Sequence, residues 1–453
     1  MFIFLLQLRE AISGRPQVLV SFAAFALVVW AIWLLKVMLS RRYIAWLEPY
    51  ETTASVIVPV VDEPVELFRD VLQRILKQEP HELIVVINGA RNVNLEQVCA
   101  DLGVHYSWTP TPGKRNAIRI GVELATGDVC VLVDSDTIWT DDTLTELVKP
   151  FADPSVGGVT TRQRILKARE HFLKRWADWM ENSRARYSMP AQSSLGQVGC
   201  LPGRTIAFRR SILNHVMYDF MTQRFLGVFL EVSDDRTLTN LTLKMGFKTV
   251  YQASSLVLTD SPIKMKKLYK QQLRWARGSQ YNTLRMLPWM VVHAPVLSIF
   301  FIADIILPFL LVGSVIGWTY HARTHTGVNF MRPTLDAFPG IQGWALVLGF
   351  IIVGSTVSMW LRQKRHLDEV PRDLMWMPVY ILFSSIFLMP IRIYGFFVCG
   401  HVAKWGTRSG SYAGTEGMGL SQRLRSLNPQ ALFPYLLGGA LIGVQIAAIL
   451  QFQ

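Results

Sequence analysis

Residues 128–136 read DVCVLVDSD, a short apolar strand that ends in two aspartates separated by one residue. Two comparable runs precede it, SVIVPVV at 55–61 and ELIVVIN at 82–88. Polar stretches with helical periodicity lie between the runs, at 64–77 and 113–124. Strands that alternate with helices predict a mostly parallel sheet covered by helices on both faces. Ligands bind beyond the carboxyl ends of the strands in such sheets, so these ends should form one crevice.

The aspartate pair predicts a site for a metal ion and a diphosphate. Asp134 and Asp136 can present carboxylate oxygens to one hard divalent cation, and Mg²⁺ or Mn²⁺ would connect them to a diphosphate. The alternative is a surface turn in which an aspartate caps a helix. Lys114 and Arg115 could contact phosphate or sugar in the same crevice. The predicted nucleotide-binding residues in and around the strand ends are Pro59, Asp62, Glu63, Asn88, Lys114, Arg115 and Asp134.

A second acidic motif is SDDR at 233–236. A carboxylate that removes a hydroxyl proton must lie within hydrogen-bond reach of the acceptor. Asp235 is our candidate for this base, and Asp234 lies next to it. The motif also fits a helix start, with Ser233 as the N-cap and two acids in the first turn. The two interpretations are compatible, because the backbone at a helix start would hold the base in place.

A third motif, QQLRW at 271–275, carries an amide, a guanidinium and an indole. On a helix, Gln271, Arg274 and Trp275 share one face through their i, i+3 and i+4 spacing. These groups suit a sugar acceptor and a phosphate leaving group. The alternative is an ordinary Arg/Trp pair at a membrane interface.

Apolar residues make up 51% of the 453-residue chain and charged residues only 17%, whereas about 25% is usual for a soluble domain. The apolar runs at 17–39, 294–319, 342–361 and 431–450 are each long enough to span a bilayer. A further run at 374–400 contains two prolines and an arginine, and we predict a broken helix that lies at the interface or re-enters. The four cysteines lack short paired spacing, which argues against a disulfide scaffold and a zinc cluster.

The net charge is +13, and the positions of the basic residues beside the apolar runs predict the orientation. Basic residues cluster at 36–42, 362–372 and 404–425, and the positive-inside rule places all three on the cytoplasmic side. The stretch 262–285 is basic and has no acidic residue, which predicts amphipathic helices on an anionic membrane face. Nucleic-acid binding is the rival interpretation, and the membrane spans on both sides disfavour it. The predicted domains are residues 1–50 with the first span, a cytoplasmic domain at 51–261, the amphipathic helices at 262–290 and a membrane region at 291–453.

The order of these motifs resembles that of the family 2 glycosyltransferases. VPVVDEP at 58–64 and GKRNA at 113–117 are followed by the three motifs described above. More narrowly, the chain is similar to the membrane-integrated processive synthases of hyaluronan, chitin or chitooligosaccharides, and cellulose. The resemblance covers residues 50–290 and continues at 401–410. It implies an α/β catalytic domain of the GT-A, Rossmann-like type and an α-helical transmembrane bundle with amphipathic interface helices.

The resemblance also implies roles for individual residues. Asp134 and Asp136 would bind the nucleotide and the metal. Asp235 would be the base, in a catalytic group with Asp234 and Arg274. GCLPG at 199–203 looks like the segment of the family that contacts the acceptor. The implied acceptor-binding residues are Cys200, Gly203, Asp235 and Trp275, and Gln271, Arg274 and Trp275 would also contact the nucleotide.

KWGTR at 404–408 looks like the gating loop of hyaluronan and chitin synthases, which closes over the nucleotide. That loop, at about 401–412, would bring Trp405, Thr407 and Arg408 to the nucleotide. The sequence departs from the family where Asn88 and Gly89 replace an Asp-rich turn that contacts uracil.

These features predict a processive, inverting hexosyltransferase of the plasma membrane that polymerises UDP-sugars and extrudes the growing polysaccharide, with Mn²⁺ or Mg²⁺ as cofactor. UDP-GlcNAc, UDP-glucuronic acid and UDP-glucose fit equally well as donors, and both a monomer and a homo-oligomer remain open. One alternative is a non-processive glycosyltransferase that acts on a lipid acceptor. Another is a membrane transporter or scaffold with a degenerate nucleotide-binding domain.

Overall fold

The computed structural model describes residues 22–229, 232–324, 331–401 and 429–451. The chain divides into two compact units. The sheet unit contains residues 36–297 and 400–431, and the helical unit contains residues 1–35, 298–399 and 432–453.

The sheet unit is built on one eight-stranded mixed sheet. Its strands are β1 (Ala54–Val60), β2 (Glu82–Asn88), β3 (His105–Thr109), β4 (Val129–Val133), β5 (Thr137–Trp139), β6 (Val156–Ile165), β7 (Thr205–Arg209) and β10 (Lys248–Thr259). A separate small hairpin consists of β8 (Arg224–Phe225) and β9 (Val228–Phe229). The order in the large sheet is β3-β2-β1-β4-β7-β6-β10-β5. The strands from β3 to β4 are parallel, as predicted. The expectation of a mostly parallel sheet is nevertheless too simple, because β7 runs antiparallel to both of its neighbours and β5 antiparallel to β10.

The helices of the described residues are α1 (Phe22–Ser40), α2 (Val65–Leu76), α3 (Val93–Asp101), α4 (Lys114–Leu124), α5 (Thr143–Val148), α6 (Phe172–Ser183), α7 (Met189–Ser193), α8 (Arg210–Thr222), α9 (Asp234–Lys244), α10 (Met265–His293), α11 (Pro295–Thr324), α12 (Met331–Ala337), α13 (Ile341–Arg362), α14 (Lys364–Leu367), α15 (Met377–Phe383), α16 (Met389–Phe397) and α17 (Phe433–Gln451). Short 3₁₀ and π segments connect several of them.

Alternate residues of the central strands enter two different cores. Val56 and Val58 of β1 pack with α2 and α3 on one face of the sheet. Ile57 faces the other side, where it packs with α4, α8 and α9. Helix α4 approaches this second face closely, because a Cβ at Gly121 would lie 2.3 Å from Cγ2 of Ile57. The sheet is therefore covered on both faces, as predicted, and α4 is held at a fixed height above β1.

Four helical stretches among the described residues are long enough and apolar enough to cross a membrane: Pro295–Gly317, Ile341–Arg362, Pro371–Phe397 and Gln430–Leu450. The shorter apolar helix Ala24–Ser40 lies at the predicted first span. Three of the stretches coincide with the predicted spans after the sheet unit. Their role as membrane crossings stays a prediction, as does the interfacial position predicted for 374–400.

The predicted break within 374–400 is absent. The structure has one unbroken helical path from Pro371 to Phe397, which passes through 3₁₀, α, π and α segments in turn. Pro378 and Pro390 each lie in the first turn of an α segment, and a π turn precedes Pro390. Proline is tolerated in a first turn, and a π turn accommodates the hydrogen bond that proline cannot donate. The two prolines thus alter the helix type without ending the helix.

Specific contacts join the helices of the helical unit. Trp33 Nε1 of α1 donates a hydrogen bond of 3.0 Å to the carbonyl oxygen of Arg362 at the end of α13. The Arg362 guanidinium lies 5.9 Å from the ring centre of Trp30. Gly313 of α11 and Gln445 of α17 are in close contact. Small residues that allow close approach and polar side chains that bind across helices are common in membrane bundles.

We predict that Gly121→Ala destabilises the protein by roughly 1–3 kcal/mol, because the added methyl group would overlap with Ile57. Gly349→Ala is the control, because a Cβ at that position meets no atom within 4 Å. Thermal unfolding of the purified variants measures the effect. A Gly121→Ala protein that unfolds at the wild-type temperature would contradict the close packing of α4 on β1.

Candidate functional site

Lys114, at the start of α4, joins two of the predicted acidic motifs. Its Nζ lies 2.5 Å from Oδ1 of Asp134 and 3.2 Å from Oδ2 of Asp234. Burial alone would lower the pKa of Lys114, but attraction by Asp134, Asp234 and Asp235 outweighs it, so the pKa is raised. One protonated side chain therefore brings together motifs that are far apart in the sequence. Gly113, which precedes it, has a φ of 129°, a conformation that favours glycine.

Asp235 lies in the first turn of α9 and is held by the backbone. Its Oδ2 accepts a hydrogen bond of 3.1 Å from the N–H of Gly203, and its Oδ1 accepts one of 2.7 Å from the N–H of Arg236. Burial and repulsion by Asp234 raise the pKa of Asp235, against the opposing effects of Lys114 and the two N–H groups. A raised pKa brings a carboxylate closer to the range in which a general base works best.

Ser233 occupies the N-cap position of α9, but its hydroxyl makes no capping hydrogen bond. Its backbone is left-handed, with a φ of 65°. The side chain packs against α10, because a Cβ at Gly278 would lie 2.2 Å from the Ser233 hydroxyl oxygen. The predicted helix start is thus present, whereas the predicted side-chain cap is not.

A cavity of about 610 Å³ lies at the carboxyl ends of the parallel strands. The aspartate pair and two residues of the QQLRW motif share its wall. Its lining includes Pro59, Asn88, Lys114, Asp134, Asp136, Gln271 and Arg274. A second, very small cavity of about 10 Å³ is lined in part by Lys114, Gly203, Asp234 and Asp235. Pro59 and Lys114 line both cavities, so the diphosphate and base sites predicted from the sequence are neighbours.

Asn88 is almost completely buried at the end of β2. Its Nδ2 donates a hydrogen bond of 3.0 Å to the carbonyl oxygen of Val60, and its Oδ1 accepts one of 3.2 Å from the N–H of Gly113. The side chain therefore fixes the end of β1 and the start of α4. Its amide keeps one further donor and one lone pair, so the predicted contact with a base stays a prediction.

Glu63 and Asp62 both follow β1, but the first is buried and the second is exposed. Glu63 is buried and accepts a hydrogen bond of 2.8 Å from the hydroxyl of Ser135, which lies between the two cavity aspartates. Asp62 is exposed and does not line the cavity. Glu63 thus positions the turn that carries Asp134 and Asp136.

Arg115 does not line the cavity, so the predicted contact of its side chain with phosphate is wrong. The side chain is 1% exposed, and its Nη1 donates a hydrogen bond of 2.7 Å to the carbonyl oxygen of Phe220. Its Nη2 contacts Thr237 Oγ1 at 3.3 Å, and its guanidinium lies 4.9 Å from the Phe220 ring centre. Neighbouring residues on a helix point about 100° apart, so Lys114 faces the cavity while Arg115 joins α4 to α8 and α9.

The stretch 262–290 contains one continuous helix, α10, and its middle part is not available to a membrane surface. Between Ala276 and Met290 most residues are buried, including Gln280, Asn282 and Thr283, whereas Val291 and Val292 at the end of the helix are exposed. Trp275 is 39% exposed, and the guanidinium of Arg204 lies 5.8 Å from its ring centre.

The lysines that we assigned to a membrane face also contribute to the cavity. Lys264, Lys267 and Lys270 line it together with Gln271 and Arg274. Their spacing of three and four residues is the signal that could have revealed this, because it places them on one side of a helix. Two residues outside every predicted motif, Lys174 and Asp260, also line the cavity and form an ion pair at 2.6 Å.

Cys200 is close enough to Asp235 to interact with its charge, and the acceptor contact predicted for this segment stays a prediction. Burial, and next the negative charge of Asp235, raise the pKa of Cys200 to about 12, so the thiol is protonated at neutral pH. A Cβ at Gly203 would lie 3.2 Å from Cβ of Asp235, so a larger residue would crowd the base. The predicted loop residues Trp405, Thr407 and Arg408 lie outside the described residues.

Asp134 and Asp136 are suited to hold a divalent cation. Both line the cavity, and carboxylate oxygens are hard ligands. Mg²⁺ is commonly held by one or two carboxylates, with water and phosphate oxygens completing its shell. Within the described part of the chain, no group of three or more His, Cys, Asp or Glu side chains could hold a metal ion.

The family described as "Glycosyltransferase like family 2" matches residues 52–278. The chain is a member of this family. It is 24% identical to a hyaluronan synthase of Streptococcus pyogenes over 80% of this chain and 84% of the relative. It is 30% identical to an N-acetylglucosaminyltransferase of Rhizobium meliloti over 71% and 76% of the two chains.

Among solved structures, the chain resembles a mannosyltransferase from Pyrobaculum calidifontis in complex with GDP-Man and Mn²⁺. The TM-score is 0.53 at 18% identity, over 80% of this chain and 98% of the other. The predicted family and the GT-A fold are therefore confirmed, and the chain is a glycosyltransferase.

We predict that Lys267→Glu raises the dissociation constant for UDP roughly three- to tenfold at low salt, because a cavity cation is replaced by an anion that repels the diphosphate. Lys266→Glu is the matched control, since Lys266 is also exposed but does not line the cavity. Calorimetric titration at two salt concentrations measures both variants. Equal losses in the two variants would show that the effect comes from overall charge and not from the cavity.

Proposed function

We propose that this protein is a processive, inverting glycosyltransferase that polymerises sugar units from UDP-activated donors and passes the growing polysaccharide across the plasma membrane. The sheet unit would face the cytoplasm. The proposal agrees with the names of the relatives, which include hyaluronan synthases and N-acetylglucosaminyltransferases. No observation on the described residues favours a lipid acceptor or a transporter.

One observation carries the proposal, namely the shared contact of Lys114 with Asp134 and Asp234. It places the residues suited to a diphosphate beside those suited to an acceptor hydroxyl. A transferase needs this arrangement, because the bond to the leaving group breaks as the bond to the acceptor forms. The larger cavity provides room for the donor on the side of Asp134.

In the proposed reaction, Asp235 takes the proton from an acceptor hydroxyl, whose oxygen forms a bond to the anomeric carbon of the donor sugar. The bond between that carbon and the diphosphate oxygen breaks, and UDP leaves with the electron pair. Attack from the face opposite to UDP inverts the anomeric centre. Lys114 and Arg274 stabilise the charge that develops on the diphosphate.

A divalent cation bound by Asp134 and Asp136, either Mn²⁺ or Mg²⁺, would supply further charge stabilisation to the diphosphate. The predicted gating loop begins beside the helix that carries Arg274. The carbonyl oxygen of His401 accepts a hydrogen bond of 2.6 Å from Nη2 of Arg277 on α10. In this proposal the loop predicted at 401–412 closes over bound UDP-sugar and excludes water.

A screen of nucleotide-sugar donors determines which sugar the protein transfers. UDP-GlcNAc is the first donor to supply, because of the name of the Rhizobium meliloti relative. UDP-glucose and UDP-glucuronic acid follow, singly and in pairs, with release of UDP and length of product as the two measurements. No UDP release from any donor or pair would refute the proposed function.

We predict that Asp235→Asn abolishes polymer formation, with a fall of at least about 100-fold, because the amide cannot accept the hydroxyl proton. Binding of UDP should stay within about twofold of wild type, since Asp235 is assigned to the acceptor. Asp219→Asn, an exposed acid that lines neither cavity, is the control. Wild-type polymer formation by Asp235→Asn would refute the base assignment.

We predict that the activity of the protein is lost at low pH. Asp235 must be ionised to act as the base, so activity at saturating donor should be lost as the pH falls through its raised pKa. Lys114→Met removes a positive charge that lowers the pKa of Asp235, so the acid limb of the profile should move to higher pH. Lys114→Arg keeps the charge and should leave the limb near its wild-type position. A shift to lower pH in Lys114→Met would contradict the assignment.

A further inference from the structure

The segment Gly203–Arg204 connects the donor and acceptor parts of the site through its backbone. The N–H of Gly203 donates a hydrogen bond of 3.1 Å to Oδ2 of Asp235. The carbonyl oxygen of Arg204 accepts one of 3.0 Å from the N–H of Asp134. Two consecutive residues thus hold both the candidate base and a candidate metal ligand.

The side chain of Arg204 is fixed by polar partners. Its Nη1 donates a hydrogen bond of 2.8 Å to Oε1 of Glu181 and a short one to Oε1 of Gln163. The side chains of Arg204 and Glu181 are only 12% and 13% exposed. Burial tends to raise the pKa of Glu181, but attraction by Arg204 and Arg184 outweighs it and lowers the pKa. The carboxylate is therefore ionised, and the guanidinium has a fixed orientation.

This guanidinium lies over the indole of Trp275, at 5.8 Å from the ring centre. Cation–π contacts at this distance are favourable, and they are stronger when the cation is buried away from water. Trp275 keeps 39% exposure, so part of the ring remains available to a ligand. An exposed indole supported from behind is a suitable platform for a sugar ring.

We propose that Arg204 is a positioning residue that fixes the orientation of the Trp275 ring, so that an acceptor sugar stacked on the ring presents its hydroxyl to Asp235. This inference rests on the proposed function, which assigns Trp275 and Asp235 to the acceptor. Arg204 itself is engaged by Glu181 and Gln163 and acts through the ring.

The test separates acceptor alignment from donor binding. In Arg204→Gln, we expect polymer formation to fall about tenfold or more while the KM for the donor stays within about twofold. UDP released per sugar incorporated should rise, because water replaces the misaligned acceptor. Arg204→Lys, which keeps the positive charge, should recover part of the loss. The double variant Arg204→Gln/Trp275→Ala should be no worse than Trp275→Ala alone, since both changes remove one platform.

A merely structural role would give a different pattern. Arg209→Gln is the matched control, because the Arg209 guanidinium lies 5.3 Å from the ring centre of Phe151, which belongs to the apolar core of the sheet unit and to no predicted motif. It should lower the unfolding temperature without changing UDP released per sugar incorporated. The inference is overturned by additive losses in the double variant, or by a KM that rises as polymer formation falls. If Arg204→Gln does not fold, a wild-type ratio of UDP released to sugar incorporated in Trp275→Ala overturns the inference as well, because the ring would then not hold the acceptor.

Failure of this inference differs from failure of the proposed function. A wild-type protein that releases UDP from no donor refutes the function. A wild-type protein that makes polymer, together with Arg204 variants that keep the wild-type ratio of UDP to sugar, refutes only the role of Arg204.

Discussion

The site depends on the ammonium of Lys114, which compensates a concentration of negative charge. Asp134, Asp234 and Asp235 would repel one another if they were brought together without a cation. The ion pairs of Lys114 with the first two, at 2.5 and 3.2 Å, allow them to approach. The same charge lowers the pKa of Asp235 against the effect of burial. A base with a raised but still accessible pKa results from this balance.

A second constraint links α9 and α10, the two helices that carry Asp235 and Trp275, the proposed acceptor residues. Arg236, next to the candidate base, donates hydrogen bonds of 2.9 Å to the carbonyl oxygen of Ser279 and 2.6 Å to Oγ1 of Thr283 on α10. Ser233 packs against Gly278 of the same helix. Asp235 on α9 and Trp275 on α10 are thereby connected by contacts on both sides of the base. Their separation is set by buried polar contacts, which are costly to break.

Much of the sheet unit follows from sequence pattern, because apolar runs with helical stretches between them leave few alternatives for a parallel sheet. Helix register is harder to read, and the neighbours Lys114 and Arg115 illustrate why. Both are basic residues after a glycine, yet one faces the cavity and the other is buried against Phe220. The difference lies in where α4 begins and in which partners α8 and α9 offer, and neither is visible in the motif itself.

The lysines of α10 show a related limit. A basic, tryptophan-containing helix between membrane spans fits an anionic surface, and the composition of the stretch cannot separate that role from a cavity wall. Lys267 and Lys266 are adjacent and both exposed, but only Lys267 of the two lines the cavity. Arg204 and Glu181 lie outside every motif. Arg204 contacts Trp275 and Glu181 contacts Arg204, and these tertiary contacts cannot be inferred from sequence spacing.

The hydrogen-bond partners of Asn88 explain why an amide occupies this position. The resembling family has an Asp-rich turn here, whereas this chain has an amide that donates to Val60 and accepts from Gly113. An ionised aspartate could accept from Gly113 but could not donate to the Val60 carbonyl, and it would place another negative charge beside Asp134 and Asp136. The amide ties the end of β1 to the residue before Lys114 without that charge. Asn88 and Lys114 therefore support the same acidic crevice in different ways. Asn88 fixes the position of its backbone, and Lys114 compensates its negative charge.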